Sequence, residues 1–277
     1  MAKLSLFDVQ AALEGRYTVS REIGDGTTAI VFLAQDGTGA DVAVKVLRPE
    51  IAGTTLGPRF VREIEILRTL EHPNILPLRD SGEAGGLVFY VAPYAPGGSL
   101  RERLERQGRL SVDDAVAIVR DVAAALDHAH QKNVVHRDVK PENILFREGR
   151  AVVCDFGVAR AIEIAAGERI SSSGIALGTP LYMSPEQAEA GQSLDGRADL
   201  YALGCVLYEM LAGEPPFTGG SAQSVLRRHV AERPPSLRVV RPDLPDHVER
   251  AVMAALAKRP EDRPASGRAL VEALGDG

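Results

Sequence analysis

Two short segments in the second half of the chain carry residue types that suit chemistry at a phosphate group. His136 begins the stretch HRDVKPEN, and Asp155 begins the triplet DFG. Asp138 could act as a general base, Lys140 adds a cation, and the side-chain oxygens of Asn143 and Asp155 could hold magnesium. These groups at this spacing are what phosphoryl transfer needs, so the two segments predict that reaction. A polar turn followed by the end of a strand is the alternative interpretation.

A glycine-rich stretch near the N-terminus is a second chemical feature. Residues 23–31 read IGDGTTAIV and lie between two predicted strands. Gly24 and Gly26 would let backbone N–H groups approach phosphate oxygens closely, whereas Ala29 replaces a third glycine. Because a strand rather than a helix follows this loop, a Rossmann dinucleotide site is excluded. A glycine hairpin without a ligand is the alternative.

Lys45 ends the apolar segment VAVK. In a strand, Val44 and Val46 point away from the lysine, and Ala43 leaves room on its own face. Glu63 follows 18 residues later on a predicted amphipathic helix. An ion pair between Lys45 and Glu63 would hold the ammonium group toward a phosphate. A solvated lysine on the exposed face of the strand is the alternative.

The elements that would position these groups change in type along the chain. Short β-rich segments predict strands at residues 17–23, 30–35, 41–47 and 87–92. Apolar residues at helical spacing predict a helix over residues 59–70, and the sequence YAPGG after the last strand resembles a hinge. Beyond it the pattern is mostly helical, with predicted helices that include residues 200–211, 221–232, 245–258 and 266–274.

Composition limits the classes of function. The chain has 277 residues, of which 45% are hydrophobic and 25% are charged, so a mostly disordered protein is excluded. The net charge of −6 gives no support for binding to nucleic acid or to an anionic membrane. Two cysteines, Cys154 and Cys205, cannot form a disulfide framework, and no apolar run is long enough for a membrane span. We therefore expect a cytoplasmic location, with the cytoplasmic domain of a longer, membrane-anchored protein as the alternative.

Taken together, these segments resemble the protein kinases, and among them the eukaryotic-type Ser/Thr kinases of bacteria. The resemblance extends from about Tyr17 to Leu274 and includes the glycine-rich loop, the strand lysine, HRDVKPEN and DFG in the family's order. Residues 184–186, SPE, stand where the family has Ala-Pro-Glu. Asp199 matches the aspartate that opens the family's central helix, and Arg263 matches a late arginine.

The resemblance implies an α+β, two-lobed protein-kinase fold in a single domain, residues 1–277. A small N-terminal lobe, at about residues 17–92, would contain an antiparallel sheet with one helix. A hinge at residues 93–98 would lead to a larger and mainly helical C-terminal lobe, at about residues 99–274. Glu186 and Arg263 would form a buried bidentate pair. These two residues and Asp199 would be structural rather than catalytic.

The resemblance also implies roles in ATP-dependent transfer. Asp138 would orient and deprotonate the substrate hydroxyl, and Lys140 would steady the γ-phosphoryl group. Asn143 and Asp155 would hold Mg²⁺, or alternatively Mn²⁺, between the phosphates. Lys45, oriented by Glu63, would complete the catalytic set by holding the α- and β-phosphates. The implied ATP-binding residues are Gly24, Gly26, Val31, Ala43, Lys45, Pro93, Ala95 and Leu145.

Further expectations concern specificity and regulation. Lys140, together with Thr179 in the sequence GTP, resembles the Ser/Thr-specific pattern of the family. Arg137 resembles the receiver of a phosphorylated activation loop, so autophosphorylation is expected there. Ala92 maps to the gatekeeper at the back of the adenine pocket, where alanine would leave an apolar void. The implied activation-loop residues are Ser171, Ser172, Ser173 and Thr179.

Protein substrates are the expected partners, and a homodimer through the N-terminal lobe is a further expectation from the family. The main alternative is a pseudokinase that binds nucleotide as a scaffold, but Lys45, Asp138, Asn143 and Asp155 are all present. A small-molecule kinase and an adaptor module are the other two alternatives. The sequence SPE and the loop candidate at residues 163–176 favour a protein substrate over a small molecule.

Overall fold

A five-stranded antiparallel sheet forms most of the first of two units in the chain. The computed structural model describes residues 4–26, 28–49, 60–159, 161–162, 180–189 and 194–275. The first unit comprises residues 1–71, 76–95 and 157–178, and the second comprises residues 72–75, 96–156 and 179–277. The strands, in the spatial order β1-β2-β3-β5-β4, are β1 (Thr18–Asp25), β2 (Ala29–Gln35), β3 (Asp41–Leu47), β4 (Asp80–Ala84) and β5 (Leu87–Pro93).

One face of this sheet is covered by an N-terminal helix, α1 (Leu6–Ala12), which the sequence analysis missed. Ser5 caps it, because its hydroxyl accepts the backbone N–H of Asp8 while the Asp8 carboxylate accepts the backbone N–H of Ser5. Val9 and Leu13 are buried in the same apolar cluster as alternate residues of β2, β3 and β5. This face is therefore the core of the first unit.

The opposite face of the sheet carries Lys45 and Ala92. In the antiparallel register, Val31 pairs with Lys45, and Ala43 pairs with Ala92. Paired residues lie on the same face of a sheet, and Ala43 and Lys45 are two positions apart on β3, so these four side chains share one face in two neighbouring rows. Ala43 and Ala92 are buried, whereas Val31 and Lys45 are half-buried.

The predicted helix over residues 59–70 is present only in part. Residues 60–64 are α-helical (α2), and Glu65–Thr69 continue as a 3-10 helix; residue 59 lies outside the described residues. The Leu70 N–H bonds to the Leu67 carbonyl, which gives the tighter winding typical of the last turn of a helix. The predicted apolar positions Phe60, Ile64, Leu67 and Leu70 are all buried.

The second unit is mainly helical, as predicted. Its longest helix, α4, and a nearly all-round buried helix, α6, provide most of the core. Ser111 caps α4 by accepting the Asp114 N–H at 3.1 Å. The helices are α3 (Leu100–Gln107), α4 (Val112–Gln131), α5 (Pro185–Ala188), α6 (Arg197–Ala212), α7 (Ala222–Ala231), α8 (Asp246–Ala255) and α9 (Gly267–Leu274).

A short hairpin in the second unit carries the predicted phosphate chemistry. It consists of β6 (Ile144–Arg147) and β7 (Arg150–Val153), with Ile144 paired with Val153. A 3-10 turn, Pro141–Asn143, leads directly into β6. The hairpin therefore determines where the residues before β6 and after β7 meet.

Candidate active site

Asn143 and Asp155 lie at the same end of the β6–β7 hairpin. Asn143 immediately precedes β6, and Cys154 and Asp155 immediately follow β7. The Cys154 N–H donates to the Asn143 carbonyl at 3.0 Å, which extends the pairing of the strands by one step. Two residues that are twelve positions apart in sequence are thus brought together by strand pairing.

Asp138 is held beside a cation and an amide. Its carboxylate accepts Lys140 Nζ at 2.6 Å and Asn143 Nδ2 at 3.1 Å, and Asn143 Nδ2 also donates to the Asp138 carbonyl at 2.7 Å. The Asp138 side chain is 30% exposed, so a substrate hydroxyl can reach it. Because the Asn143 amide nitrogen is bound to Asp138, its oxygen is oriented away and is available to a cation.

This donor set suits Mg²⁺. The Asn143 amide oxygen and the Asp155 carboxylate are hard oxygen ligands, which magnesium prefers, and the hairpin brings both to one end. Asp155 has a positive φ of 64°, an uncommon conformation for a residue with a side chain. The chain therefore contains, at one place, two residues whose oxygens would fit a magnesium ion.

The His136 ring connects the two predicted segments. Its Nδ1 accepts the Asp138 N–H at 3.2 Å, so the proton must be on Nε2, which donates to the Cys154 carbonyl at 2.8 Å. The ring is fully buried and lies edge-on to Phe156, with 4.6 Å between the ring centroids. His136 is therefore a neutral structural link between the HRDVKPEN segment and the DFG triplet.

Asp199, at the start of α6, anchors the backbone of the same segment. Its carboxylate accepts the backbone N–H groups of His136 and Arg137, both at 2.8 Å, and His130 Nε2 at 2.8 Å. The carbonyl of Arg137 accepts Gln187 Nε2 at 2.9 Å. These bonds hold Arg137 at a φ of 69°, which a residue with a side chain rarely adopts.

Arg263 and Glu186 form the predicted buried pair. Nη1 and Nη2 of Arg263 donate to the two Glu186 oxygens, each at 2.7 Å. The remaining three donors of the guanidinium bind the carbonyls of Ala257, Arg197 and Lys258 at 2.8, 2.9 and 3.0 Å. Burial is the largest single influence and raises the pKa of Glu186. The hydrogen bonds and the charge of Arg263, together with hydrogen bonds from Ser184 and from the backbone of Glu186, outweigh it, so that the net pKa lies below its ordinary value.

In the first unit, an arginine missed by the sequence analysis braces the glycine-rich loop. Arg48 Nε donates to the Gly26 carbonyl at 2.8 Å, and its Nη2 forms an ion pair with Asp25. Gly26 N–H also bonds to the Ala29 carbonyl at 3.0 Å. A methyl group on Gly26 would lie 3.2 Å from that carbonyl oxygen, so the hairpin favours glycine there. Arg48 lies three residues after Lys45, but nothing in its type or spacing indicated this contact.

The ion pair predicted between Lys45 and Glu63 stays a prediction. Lys45 Nζ lies 5.8 Å from the centroid of the Tyr90 ring, its cross-strand neighbour on β5. Glu63 is half-buried on α2.

The other predicted ATP-binding residues are distributed over both units. Seven lie in the first unit: Gly24, Gly26, Val31, Ala43, Lys45, Pro93 and Ala95. Leu145 lies on β6 in the second unit. Pro93 ends β5, opposite Val42, and Ala95 is buried. The predicted activation-loop residues Ser171, Ser172, Ser173 and Thr179 lie outside the described residues.

Several known proteins are similar to this chain. A family model described as a protein kinase domain matches residues 17–273. Serine/threonine-protein kinase PknB of Mycobacterium tuberculosis is 43% identical over 260 residues, which cover 91% of this chain and 41% of the relative. DNA damage-responsive serine/threonine-protein kinase RqkA of Deinococcus radiodurans is 41% identical over 268 residues, covering 93% of this chain and 39% of RqkA.

A solved structure is also similar to this chain. The kinase domain of Mycobacterium tuberculosis PknI, crystallised as a point mutant, has a TM-score of 0.74 and 34% identity, with 94% of each chain covered. The fold is thus the two-lobed protein-kinase fold, as predicted. The chain belongs to the protein kinase family, and it is similar to bacterial serine/threonine-protein kinases over 91% of its length. It spans about 41% of the length of PknB.

Proposed function

We propose that this domain transfers the γ-phosphoryl group of ATP to Ser and Thr hydroxyls of protein substrates. The observation that carries the proposal is the arrangement around Asp138, whose carboxylate is partly exposed and is flanked by Lys140 and Asn143 at hydrogen-bonding distance. The similarity to named serine/threonine-protein kinases supports the choice of acceptor. The presence of all the predicted catalytic groups gives no support to the pseudokinase alternative.

Each residue then has a distinct task. Asp138 accepts the proton of the substrate hydroxyl and orients its oxygen for attack. Lys140 moves from the Asp138 carboxylate toward the transferring phosphoryl group, where its charge is needed. Asn143 and Asp155 would hold Mg²⁺, which neutralises the charge of the phosphates when bound. Lys45 would hold the α- and β-phosphates, and we expect Glu63 to pair with it when nucleotide is bound.

The nucleotide would be held mainly by backbone groups and apolar side chains. Gly24 and Gly26 offer N–H groups to the phosphates, and Val31, Ala43 and Leu145 would enclose the adenine ring. Pro93 and Ala95 would contribute backbone groups to the adenine edge. Ala92 would lie behind the ring as the gatekeeper.

Regulation and location are part of the same proposal. We expect autophosphorylation among Ser171, Ser172, Ser173 and Thr179, with Arg137 as a partner of the phosphate. No helix among the described residues is long and apolar enough to cross a membrane. Both cysteines are buried and neither forms a disulfide, which fits a cytoplasmic domain. A homodimer through residues 17–92 stays a prediction, which sedimentation equilibrium would check.

The decisive experiment compares the chain with Asp138→Asn in the presence of labelled ATP and Mg²⁺. Transfer to a basic protein or to the chain itself should fall by about a hundredfold or more in the variant, because the base is lost. Asp113→Asn, the same substitution at an exposed position on α4, is the matched control and should keep full activity. Transfer by the chain that survives unchanged in Asp138→Asn would contradict the proposal.

A further inference from the structure

Gln187 on α5 uses both ends of its side-chain amide. Its Oε1 accepts the Ser184 N–H at 3.0 Å, and its own backbone N–H donates to Ser184 Oγ at 3.4 Å, so the two residues form the capping box of α5. Because the oxygen is engaged in the cap, the amide nitrogen faces the other way, and Nε2 donates to the Arg137 carbonyl at 2.9 Å. One side chain therefore joins α5 to the residue that directly precedes Asp138.

The peptide group between Arg137 and Asp138 is held at both of its polar atoms. Gln187 binds its oxygen, and the ring of His136 accepts its N–H at 3.2 Å. Arg137 has a positive φ of 69°, a conformation that persists in a residue with a side chain only where surrounding contacts impose it. The peptide group is planar and its nitrogen is bonded to the Cα atom of Asp138, so a rotation of this group would move the carboxylate.

The two contacts of this peptide group come from different parts of the second unit. His136 belongs to the HRDVKPEN segment itself, whereas Gln187 belongs to α5, whose start is fixed by the pair of Glu186 and Arg263. Successive residues of an α-helix point in directions about 100° apart. Glu186 can therefore bind Arg263 while Gln187 faces Arg137, and α5 supports the segment from outside it.

Glutamine suits this position because its side chain ends in an acceptor and a donor. A glutamate would serve the capping box equally well, since either residue type accepts the N–H of the N-cap residue. A glutamate could not donate to the Arg137 carbonyl, and its second oxygen would face the carbonyl oxygen instead. The cap of α5 alone therefore does not account for a glutamine at position 187.

We propose that Gln187 is a positioning residue for phosphoryl transfer, because it holds the Arg137–Asp138 peptide group in the orientation that directs the Asp138 carboxylate toward the substrate hydroxyl. Its amide is engaged with Ser184 and Arg137, so it acts through the base and not on the substrate. A general base must lie within hydrogen-bond reach of the proton that it accepts, and a displacement of about 1 Å can cost about a hundredfold in rate. The inference rests on the proposed kinase function, because it concerns the same reaction.

The test measures the rate constant of the chemical step in single-turnover transfer from Mg-ATP to a threonine-containing peptide, because product release limits kcat in many enzymes. Gln187→Glu keeps the acceptor for the Ser184 N–H but lacks the donor for the Arg137 carbonyl. The rate constant should fall by about tenfold or more in this variant. The KM for ATP should change little, because the predicted nucleotide-binding residues are untouched.

Three further variants separate the donor from the added charge and from the cap. Gln187→Met is neutral and similar in length, and it should slow the chemical step about as much as Gln187→Glu. Ser184→Ala removes the hydroxyl of the capping box but leaves the side chain of Gln187 in place, so the rate constant should stay nearly unchanged. Gln107→Glu adds the same negative charge at an exposed position on α3 and should have no effect.

Two outcomes would overturn the inference. An equal loss of rate in Ser184→Ala and in the Gln187 variants would assign the whole effect to the cap, and an unchanged rate in Gln187→Met would mean that the donor is dispensable. If Gln187→Met does not fold, the comparison of Gln187→Glu with Gln107→Glu decides in the same way. If the wild-type chain transferred phosphate to no protein or peptide, the proposed function itself would fail, and this result is seen before any variant is compared.

Discussion

Arg263 binds both oxygens of Glu186 at 2.7 Å and uses its other three donors on backbone carbonyls, so no donor of this guanidinium lacks an acceptor. The Arg263 side chain is fully buried, and that of Glu186 is 8% exposed. A charge in such a place is costly to leave without its partner. The pair therefore holds the start of α5 to the first residue of α6 and to the segment after α8.

Breaking this pair should strongly destabilise the second unit. Glu186→Gln leaves the buried guanidinium without a counter-charge, and we expect a loss of about 3–5 kcal/mol in the free energy of unfolding. Denaturation by urea, followed by circular dichroism, measures it. The control is Glu272→Gln, which breaks an exposed pair with Arg268 on α9 and should cost less than about 1 kcal/mol. Equal effects of the two substitutions would contradict the prediction.

His229 should make stability depend on pH. Burial and the nearby Lys258 lower the pKa of His229 to about 4, from an ordinary value of 6.5. Below pH 6.5 the unfolded chain binds a proton that the folded chain does not bind, so stability falls as the pH decreases from 6.5 toward 4. The loss is at most about 3 kcal/mol. His229→Gln should flatten this part of the profile, and an unchanged slope would refute the assignment.

Glu186 should contribute in a lower pH range. Its pKa in the folded chain lies below the ordinary 4.5, so its contribution is present above pH 4.5 and is lost as the pH falls through the lower, folded value. Urea titrations below pH 4.5 should therefore show a smaller further loss in Glu186→Gln than in the wild type. The same loss in both would indicate that other carboxylates dominate acid unfolding.

Arg48 should affect the binding of ATP rather than the chemical step. Arg48→Met removes the hydrogen bond to the Gly26 carbonyl and the ion pair with Asp25, so the glycine-rich loop loses its brace. We expect the KM for ATP to rise about three- to tenfold with kcat nearly unchanged. Arg21→Met, at an exposed position on β1, is the control. An unchanged KM would show that the loop does not need this contact.

Ala92 should make the protein sensitive to enlarged adenine analogues. Ala92 and Ala43 are paired across β5 and β3 on the face that carries Lys45, and neither fills much volume. An inhibitor with a bulky aromatic group on the adenine ring should bind tightly, and Ala92→Met should weaken it by about 1–3 kcal/mol through overpacking. The use of ATP should change little. Equal inhibition of both proteins would place Ala92 away from the ring.

Much of the fold could be predicted because its patterns are local. The alternation that predicts β3 and the helical spacing of Phe60 and Ile64 depend only on which face is buried. α1 was missed because its capping box at Ser5 was not recognised, and β4, DSGEA, has no apolar alternation. The contacts of Arg48 had no signal in the sequence, because a long side chain reaches partners that sequence spacing does not specify.

The same limit applies to the predicted pair of Lys45 and Glu63. Their types and spacing predict an ion pair, but its formation depends on how far α2 continues and how it is rotated. The change from α-helix to 3-10 helix at Glu65 depends on contacts with the rest of the fold. The spacing of apolar residues in the sequence does not reveal these contacts. His130 is a second case, because only the fold brings it to Asp199.

The bonds that Asp199 makes to His136 and Arg137 have a consequence for exchange with solvent. Both amide protons point at a carboxylate that is 1% exposed at the start of a buried helix. Deuterium from water can replace them only when α6 separates from the segment, which requires the core of the second unit to open. The backbone on which the general base stands should therefore rank among the slowest-exchanging parts of the chain, although it belongs to no helix or strand.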